Sequence, residues 1–336
     1  MPGNGTLGVL DSRCHDDDGV LDTDRFLLVV VFGTPLAVFS LVENLLLSIF
    51  LALNQAVKNS IWTYFLFLAI CDTLVSASYP PIIALNFWSD HTKNMLLNNI
   101  WFFIYNPLLM ISHTLTYLAL FLIMFTAAEK LYSRKLAFQN HRKSMVLAAL
   151  IISVLSHGSM LFELQAVYNP PCVGSIHEYV LERTKFFHNF GNSIQYYRTI
   201  SGFLMNVLSM AIVIGTIFGK HRTYDPIALL DVERKIQAQV KIRSQTLLFI
   251  ATINLICGTL SYIIFAWEKI DTRSLFVEYV RFYGISLELI SMLVVFACAL
   301  RLPIYLLCEP EFRADFLDFL ACKRTKATNS ERLLNA

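Results

Sequence analysis

The stretch LLVVVFGTPLAVFSLVENLLLSIFLAL, residues 27–53, decides the fold class. It contains a single charged residue, Glu43, and is long enough to cross a bilayer, which takes ~20 apolar residues as a helix. Six more apolar stretches of similar length follow it, separated by polar segments. The predicted spans, numbered 1 to 7, are 27–53, 61–88, 96–131, 144–167, 194–219, 241–267 and 282–307. We therefore predict an all-α membrane protein, a seven-transmembrane helix bundle.

Composition favours a membrane protein over a soluble one. The chain is 56% hydrophobic and 15% charged, whereas a soluble domain carries ~25% charged residues. A soluble protein with buried helices is disfavoured because core helices are usually shorter than these spans. The spans use most of the 336 residues and leave no loop long enough to fold separately. We predict an extracellular segment at 1–26, a transmembrane domain at 27–307 and a cytoplasmic tail at 308–336.

The distribution of basic residues predicts the orientation. Lysine and arginine concentrate after spans 3 and 5 and in the C-terminal tail, and such segments stay in the cytoplasm. The first 26 residues are acidic and lack the basic start and apolar centre of a signal peptide. Asn4 begins the glycosylation sequon Asn-Gly-Thr, which is modified only on the luminal side. We predict a multi-pass protein of the plasma membrane with its N-terminus outside.

Three cysteines lie outside the spans in informative places. Cys14 and Cys172 fall in predicted outer segments, where the surroundings are oxidising. A disulfide between them is a hypothesis, since it requires Cα atoms ~5.5 Å apart and sequence alone does not give that distance. Cys322 stands beside Lys323 and Arg324 after an apolar run, which makes it a candidate acylation site. A free thiol is the alternative reading of Cys322.

Ionisable residues inside the spans are costly in a bilayer, so each is a clue to structure or function. Glu43 lies in span 1, Asp72 in span 2 and Arg301 in span 7. Counted at ~1.5 Å per residue from the inner ends, the three lie at similar depths. Arg301 can therefore pair with Asp72 or with Glu43. The network either fixes the packing of the bundle or rearranges on activation.

Several short motifs resemble the rhodopsin-like G-protein-coupled receptors. They are Asn44 in span 1, LAICD at 68–72 in span 2 and LPIY at 302–305 closing span 7. The stretch 309–316, EPEFRADF, resembles that family's short amphipathic helix on the inner membrane surface, with Phe312 and Phe316 at helical spacing. AEKLY at 128–132 and ERKIQAQVKIRS at 233–244 are similar to nematode serpentine chemoreceptors, particularly the group with the Sra and Sre families.

The chain also departs from the rhodopsin-like pattern. The acidic-Arg-Tyr motif maps onto Glu129-Lys130-Leu131, and lysine lacks the planar fork of arginine. Leu302 stands where the family has Asn or Asp before the proline of span 7. Span 6 reads CGTL at 257–260 where the family has Cys-Trp-x-Pro, and no cysteine lies near the outer end of span 3.

The resemblance implies a chemosensory receptor that transmits binding of an extracellular small molecule or peptide to a heterotrimeric G protein. The implied ligand-binding residues are Ser112, His113, Thr116, Tyr117, Tyr197, Tyr262, Trp267 and Glu288, with Tyr79, Phe87, Trp88 and Tyr283 as further wall residues. The implied switch network is Glu43, Asn44, Asp72, Arg301, Pro303 and Tyr305, and the implied G-protein contacts are Glu129, Lys130, Arg134, Lys241 and Arg243.

Two further observations concern the predicted ligand site. The aromatic wall residues are also typical of anchors at the membrane interfaces. Ser112 replaces the aspartate of amine receptors and Phe296 the retinal lysine of opsins, so neither a biogenic amine nor retinal is expected.

Other classes of function stay open. One is a neuropeptide receptor of the same fold. Another is a seven-span ligand-gated channel of the insect odorant-receptor kind, which requires an N-terminus inside the cell. A transporter is disfavoured because no paired broken helices in related halves are evident in the sequence. A membrane enzyme is disfavoured because no His-Glu-x-x-His motif or Gly-rich phosphate loop occurs and the histidines lack metal-ligand spacing. We expect no enzyme activity, metal, cofactor or nucleic-acid partner.

Overall fold

The computed structural model describes residues 21–54, 61–131, 141–172, 178–219, 231–271 and 273–321. Within these ranges, seven helical segments are long and apolar enough to cross a membrane. They are Thr23–Leu53, Trp62–Thr92, Met95–Lys130, Arg142–Phe162, Ser193–Phe218, Ser244–Ile270 and Val280–Cys308, and they keep the numbers 1 to 7. The predicted all-α seven-helix membrane fold is confirmed.

The described residues form eleven α-helices, and the first ten of them, with short turns, build the spans. The helices are Leu21–Phe26, Thr34–Leu53, Trp62–Tyr79, Leu85–Thr92, Met95–Leu131, Arg142–His157, Asn192–Gly219, Asp231–Ile270, Val280–Ala299, Arg301–Cys308 and Pro310–Leu320. The π-helical segments Leu27–Gly33 and Pro80–Ala84 make spans 1 and 2 continuous. In span 2 the two prolines at the start of the π segment lack the N–H groups of a regular α-helical ladder. The helix of span 6 begins well before the apolar segment, at Asp231.

Six spans form a ring in the order 1, 2, 3, 5, 6 and 7, and span 7 closes it by packing on span 1. Span 4 packs on the outside of span 3. The core is made of side chains such as Leu47, Tyr64, Leu122, Ile250 and Tyr305, each at most 2% exposed. Large apolar side chains also cover the outside of the bundle; examples are Phe39, Leu155, Leu204, Ile256 and Leu307. An apolar exterior of this kind fits a lipid environment.

A β-hairpin marks one end of the bundle, which we call the hairpin end. Strand β1, Leu164–Tyr168, pairs antiparallel with strand β2, Tyr179–Arg183. The predicted span 4 continues to residue 167, but its helix gives way to a 3₁₀ turn at Gly158–Phe162 and then to β1. The prediction failed here because a short apolar run does not distinguish a strand from a helix. Besides its pairing with β2, strand β1 contacts span 3, because Nδ2 of Asn106 donates a hydrogen bond to the Leu164 carbonyl at 2.7 Å.

The helix Pro310–Leu320 lies at the opposite end, which we call the C-terminal end. Its Phe312 and Phe316 are buried against Phe50 of span 1, with ring centroids 5.3 Å away in both cases. Trp62 of span 2 stacks on Phe312 at 5.2 Å. The predicted amphipathic helix is therefore present, and its apolar face packs on the last residues of span 1 and the first residue of span 2.

Spans 1 and 2 approach each other closely at Gly33. A Cβ atom at this position would overlap the phenol of Tyr79, whereas a Cβ atom at Gly215 of span 5 would meet nothing within 4 Å. We expect Gly33→Ala to lower the stability of the detergent-solubilised protein by ~1–3 kcal/mol, the usual cost of overpacking. Gly215→Ala is the matched control and should be neutral or slightly stabilising. Equal thermal unfolding midpoints for the two variants would contradict the close approach.

Candidate functional site

A buried ion pair joins span 2 to span 7. Nη1 of Arg301 donates to both carboxylate oxygens of Asp72. The two side chains are 5% and 2% exposed, respectively. Removing such charges from water costs several kcal/mol per ion, and only close, hydrogen-bonded pairing offsets that cost. Of the two partners that the sequence offers to Arg301, the structure pairs it with Asp72.

Span 1 contributes polar side chains next to this pair. Glu43 is 6% exposed, and its Oε1 has no hydrogen-bond partner among the described residues. Asn44 is fully buried, and its Nδ2 donates to the carbonyl of Ser40 at 2.9 Å and to that of Cys298 at 3.1 Å. Asn44 thereby ties span 1 to span 7. Together with Asp72 and Arg301, these residues form a polar cluster with two carboxyl groups and one guanidinium.

An interruption in span 7 positions the guanidinium of this cluster. The helix Val280–Ala299 ends and the helix Arg301–Cys308 begins on either side of one intervening residue. Pro303 has no N–H to donate to the carbonyl four residues earlier, which accounts for the break. Arg301 is therefore the first residue of the second helix. Tyr305 lies one turn later, is 1% exposed and anchors this helix in the core.

A second buried ion pair joins spans 3 and 4 near the C-terminal end. Nε of Arg142 donates to the two carboxylate oxygens of Glu129 at 3.1 and 3.0 Å, and both side chains are 8% exposed. Lys130 is also buried, at 5% exposed. Two of the predicted G-protein contacts, Glu129 and Lys130, therefore lie beneath the surface of this structure.

The other predicted G-protein contacts are distributed differently. Arg134 lies outside the described residues. Lys241 and Arg243 lie on the part of the helix Asp231–Ile270 that precedes span 6. Span 6 has its own attachment at this end, because Oγ1 of Thr246 donates to Oε1 of Glu309 at 2.9 Å and both residues are buried.

A cavity of about 820 Å³ lies between the spans. Its wall on span 7 runs from Tyr283 to Arg301, which at ~1.5 Å per residue corresponds to ~27 Å of helix. The Asp72–Arg301 pair forms its inner end, and Arg25 and Glu288 line it towards the hairpin end. The cavity is thus continuous from the hairpin end to the polar cluster.

The predicted ligand-binding residues divide between the cavity and other surfaces. Those that line it are His113, Thr116, Tyr117, Tyr262 and Glu288, together with Phe87 and Tyr283. Those that do not are Ser112, Tyr197 and Trp267, together with Tyr79 and Trp88. Tyr197 and Trp88 are 55% and 52% exposed on the outside of the bundle, in keeping with the interface-anchor reading.

Two imidazoles form part of the cavity wall. His113 of span 3 and His157 of span 4 lie parallel, with ring centroids 6.1 Å apart. His157 is within hydrogen-bond distance of the Ser153 carbonyl, at 3.2 Å, and the ring of Tyr117 lies 5.0 Å from it. Within the described residues, no group of three or more His, Cys, Asp and Glu side chains is arranged to hold a metal ion.

Ion pairs surround the cavity towards the hairpin end. Nε of Arg25 donates to Glu288 at 2.9 Å, and its guanidinium lies over the ring of Phe87 at 4.9 Å. Nη2 of Arg198 donates to Glu163 at 2.8 Å. The first pair connects the start of span 1 to span 7, and the second connects span 5 to the end of span 4.

Sequence reasoning missed several cavity residues. They are Arg25, Trp101, Tyr105, Arg198, Asn206, Asn254 and Glu268. A signal existed for span 6, where Asn254, Ser261 and Glu268 recur at every second turn and so share one helix face. Arg25 falls in the predicted extracellular segment, but the structure places it within span 1. Arg25 and Arg198 are both neutralised by carboxylates from other spans or their ends.

The predicted covalent modifications are described only in part. Cys172 is buried and disulfide-bonded, and it ends a 3₁₀ turn between the two hairpin strands. Its predicted partner, Cys14, lies outside the described residues, as do Asn4 and Cys322. The pairing of Cys14 with Cys172 therefore stays a prediction, like the glycosylation and acylation sites.

No protein-family model matches the chain, and no curated protein matches its sequence.

The Glu129–Arg142 pair gives a stability prediction. Arg142→Met leaves a buried carboxylate without its cation, so we expect a loss of ~3–5 kcal/mol in the free energy of unfolding. The double variant Glu129→Met/Arg142→Met removes both charges and should recover most of that loss. Lys143→Met, at the next and exposed position, is the control and should change stability little. Thermal unfolding in detergent measures all three, and equal effects of Arg142→Met and Lys143→Met would refute the importance of the pair.

Proposed function

We propose that this chain is a seven-span receptor of the plasma membrane, with its N-terminus outside, that passes ligand binding to a heterotrimeric G protein. The observation that carries the proposal is the cavity between the spans, which extends from the hairpin end to the buried Asp72–Arg301 pair. Ligand sites in helix bundles are built between facing helices in this way. The ligand is an extracellular small molecule or peptide, and the motifs quoted above favour a chemosensory receptor of the rhodopsin-like kind.

The polar cluster at the inner end of the cavity is the candidate for the bistable element. A ligand that binds the two states of a bundle with different affinity shifts their populations. Asp72 and Arg301 line the cavity and also connect spans 2 and 7, so a ligand that moves either span changes their pairing. Glu43 offers Arg301 an alternative carboxylate in the second state.

The C-terminal end supplies the output of the mechanism. In this structure, the Thr246–Glu309 hydrogen bond holds span 6 against the start of the C-terminal helix. Span 3 is held to span 4 by Glu129 and Arg142. On activation, span 6 separates from span 3, the Thr246–Glu309 bond breaks, and the helix segment with Lys241 and Arg243 contacts the G protein.

Topology provides the first test of the proposal. Epitope tags at the two ends are detected in intact and in permeabilised cells, and glycosylation of Asn4 is scored in the same samples. We expect the N-terminal tag to be accessible in intact cells, the C-terminal tag only after permeabilisation, and Asn4 to be glycosylated. An N-terminus inside the cell would overturn the receptor proposal and favour the ligand-gated channel.

Variants of the ion pair test the switch. Arg301→Leu leaves Asp72 unpaired and should lower surface expression, since breaking a buried pair costs ~3–5 kcal/mol. The double variant Asp72→Leu/Arg301→Leu should restore surface expression, because no unpaired charge of the pair remains. Its G-protein signalling should nevertheless stay altered, in basal level or in response to ligand, because the pair itself is missing. Normal signalling by the double variant would assign the pair a structural role only.

A further inference from the structure

The charged side chains that line the cavity are all paired within the described part of the chain. They are Arg25, Asp72, Arg198, Glu268, Glu288 and Arg301. Three of the contacts are Arg25–Glu288, Arg198–Glu163 and Arg301–Asp72. Glu268 lies 3.8 Å from the ammonium group of Lys269. Each carboxylate and guanidinium group of the described wall therefore already has a partner of opposite charge.

This pairing decides which ligands can enter favourably. A charged ligand loses its hydration in the cavity and recovers that free energy only from an opposite charge that is free to meet it. Here the carboxylates and guanidinium groups of the wall already have partners of opposite charge. Among these paired groups, Oε2 of Glu288 and Nε of Arg301 have no hydrogen-bond partner within the described residues, but the charge of each group is compensated within its ion pair. A neutral ligand loses far less hydration and needs only hydrogen-bond partners and apolar contacts.

The rest of the wall provides those partners. Aromatic rings line the half towards the hairpin end, among them Phe87, Trp101 and Tyr105. Asn254 of span 6 lines the cavity. Its Nδ2 has no hydrogen-bond partner among the described residues. An unpaired buried amide N–H is a donor for a carbonyl, ether or hydroxyl oxygen.

We infer that the cavity binds an elongated, uncharged and mostly apolar molecule with a hydrogen-bond acceptor, such as a ketone, ester or alcohol. The acceptor takes the Asn254 amide, and the apolar body extends along the aromatic wall towards Arg25 and Glu288. Ion pairing in the wall thus serves to select against ions. The inference rests on the proposed function only in treating this cavity as the ligand site.

Three probes with the same phenylalkyl body test the inference. They are benzylacetone, which is a neutral ketone, phenylbutyrate, which is an anion, and phenylbutylammonium, which is a cation. Equilibrium binding is measured with the full chain in lipid nanodiscs, and binding to empty nanodiscs is subtracted. We expect benzylacetone to bind at least about tenfold more tightly than either ion, a ratio typical of one unmet charge or hydrogen bond. Asn254→Leu should weaken benzylacetone binding about tenfold.

Variants at the Arg25–Glu288 pair should change the selectivity in opposite directions. Arg25→Gln frees the Glu288 carboxylate and should raise the affinity for phenylbutylammonium at least about tenfold, whereas Glu288→Gln should do the same for phenylbutyrate. Arg281→Gln breaks the exposed pair with Asp24, which does not line the cavity, and is the matched control. Because these are gains of affinity, a misfolded variant does not imitate them.

The outcomes separate this inference from the proposed function. Tightest binding of an ion by the unmodified chain, no binding of benzylacetone above empty nanodiscs, or pair variants that behave like Arg281→Gln would each overturn the neutral-ligand inference. The assay contains no G protein. Selective binding of benzylacetone without any G-protein activation in cells would therefore leave this inference intact and contradict the proposed function alone.

Discussion

The buried contact between Asp72 and Arg301 is the constraint on which the rest of the bundle depends. Neither charge is tolerable at this depth without the other, so the pair fixes the relative height of spans 2 and 7. Asn44 adds a tie from span 1 to the backbone of span 7. Pro303 interrupts span 7 at the point where the guanidinium must turn inward. Spans 1, 2 and 7 are thereby held together at the depth of this pair, and the cavity extends from there towards the hairpin end.

Other polar contacts hold the spans together towards the two ends of the bundle. Towards the hairpin end, Arg25–Glu288 and Arg198–Glu163 brace the walls of the cavity. Towards the C-terminal end, the Glu129–Arg142 ion pair fixes span 4 to span 3. Span 6 is held at this end by a hydrogen bond that the neutral hydroxyl of Thr246 donates to Glu309. A hydrogen bond from a hydroxyl is weaker than a doubly bonded ion pair, so the polar contact that holds span 6 at this end is the weaker of the two.

The fold was predictable from sequence because apolar length alone decides whether a helix crosses a bilayer, and the seven spans follow from it. The end of span 4 was not, since LQAVY is apolar enough for a span and also suits a strand. The depth of Glu43, Asp72 and Arg301 was predictable by counting residues, but the choice of Asp72 over Glu43 depends on how the spans are rotated. The polar helix face with Asn254, Ser261 and Glu268 can be found in the sequence. The direction in which that face turns, like that of Arg198 on span 5, depends on the rotation of the spans, which is set by packing between distant segments.

The helix of span 6 has a mechanical consequence. It comprises 40 residues and starts at Asp231, whereas its membrane segment starts at Ser244, so an arm of ~20 Å at 1.5 Å per residue extends beyond the span. A rigid rod that pivots inside the bilayer moves its free tip in proportion to the length of the arm. A tilt of span 6 too small to disturb the packing around the cavity would therefore become a large sweep at residue 231, since the length of this helix lets it act as a lever without unfolding.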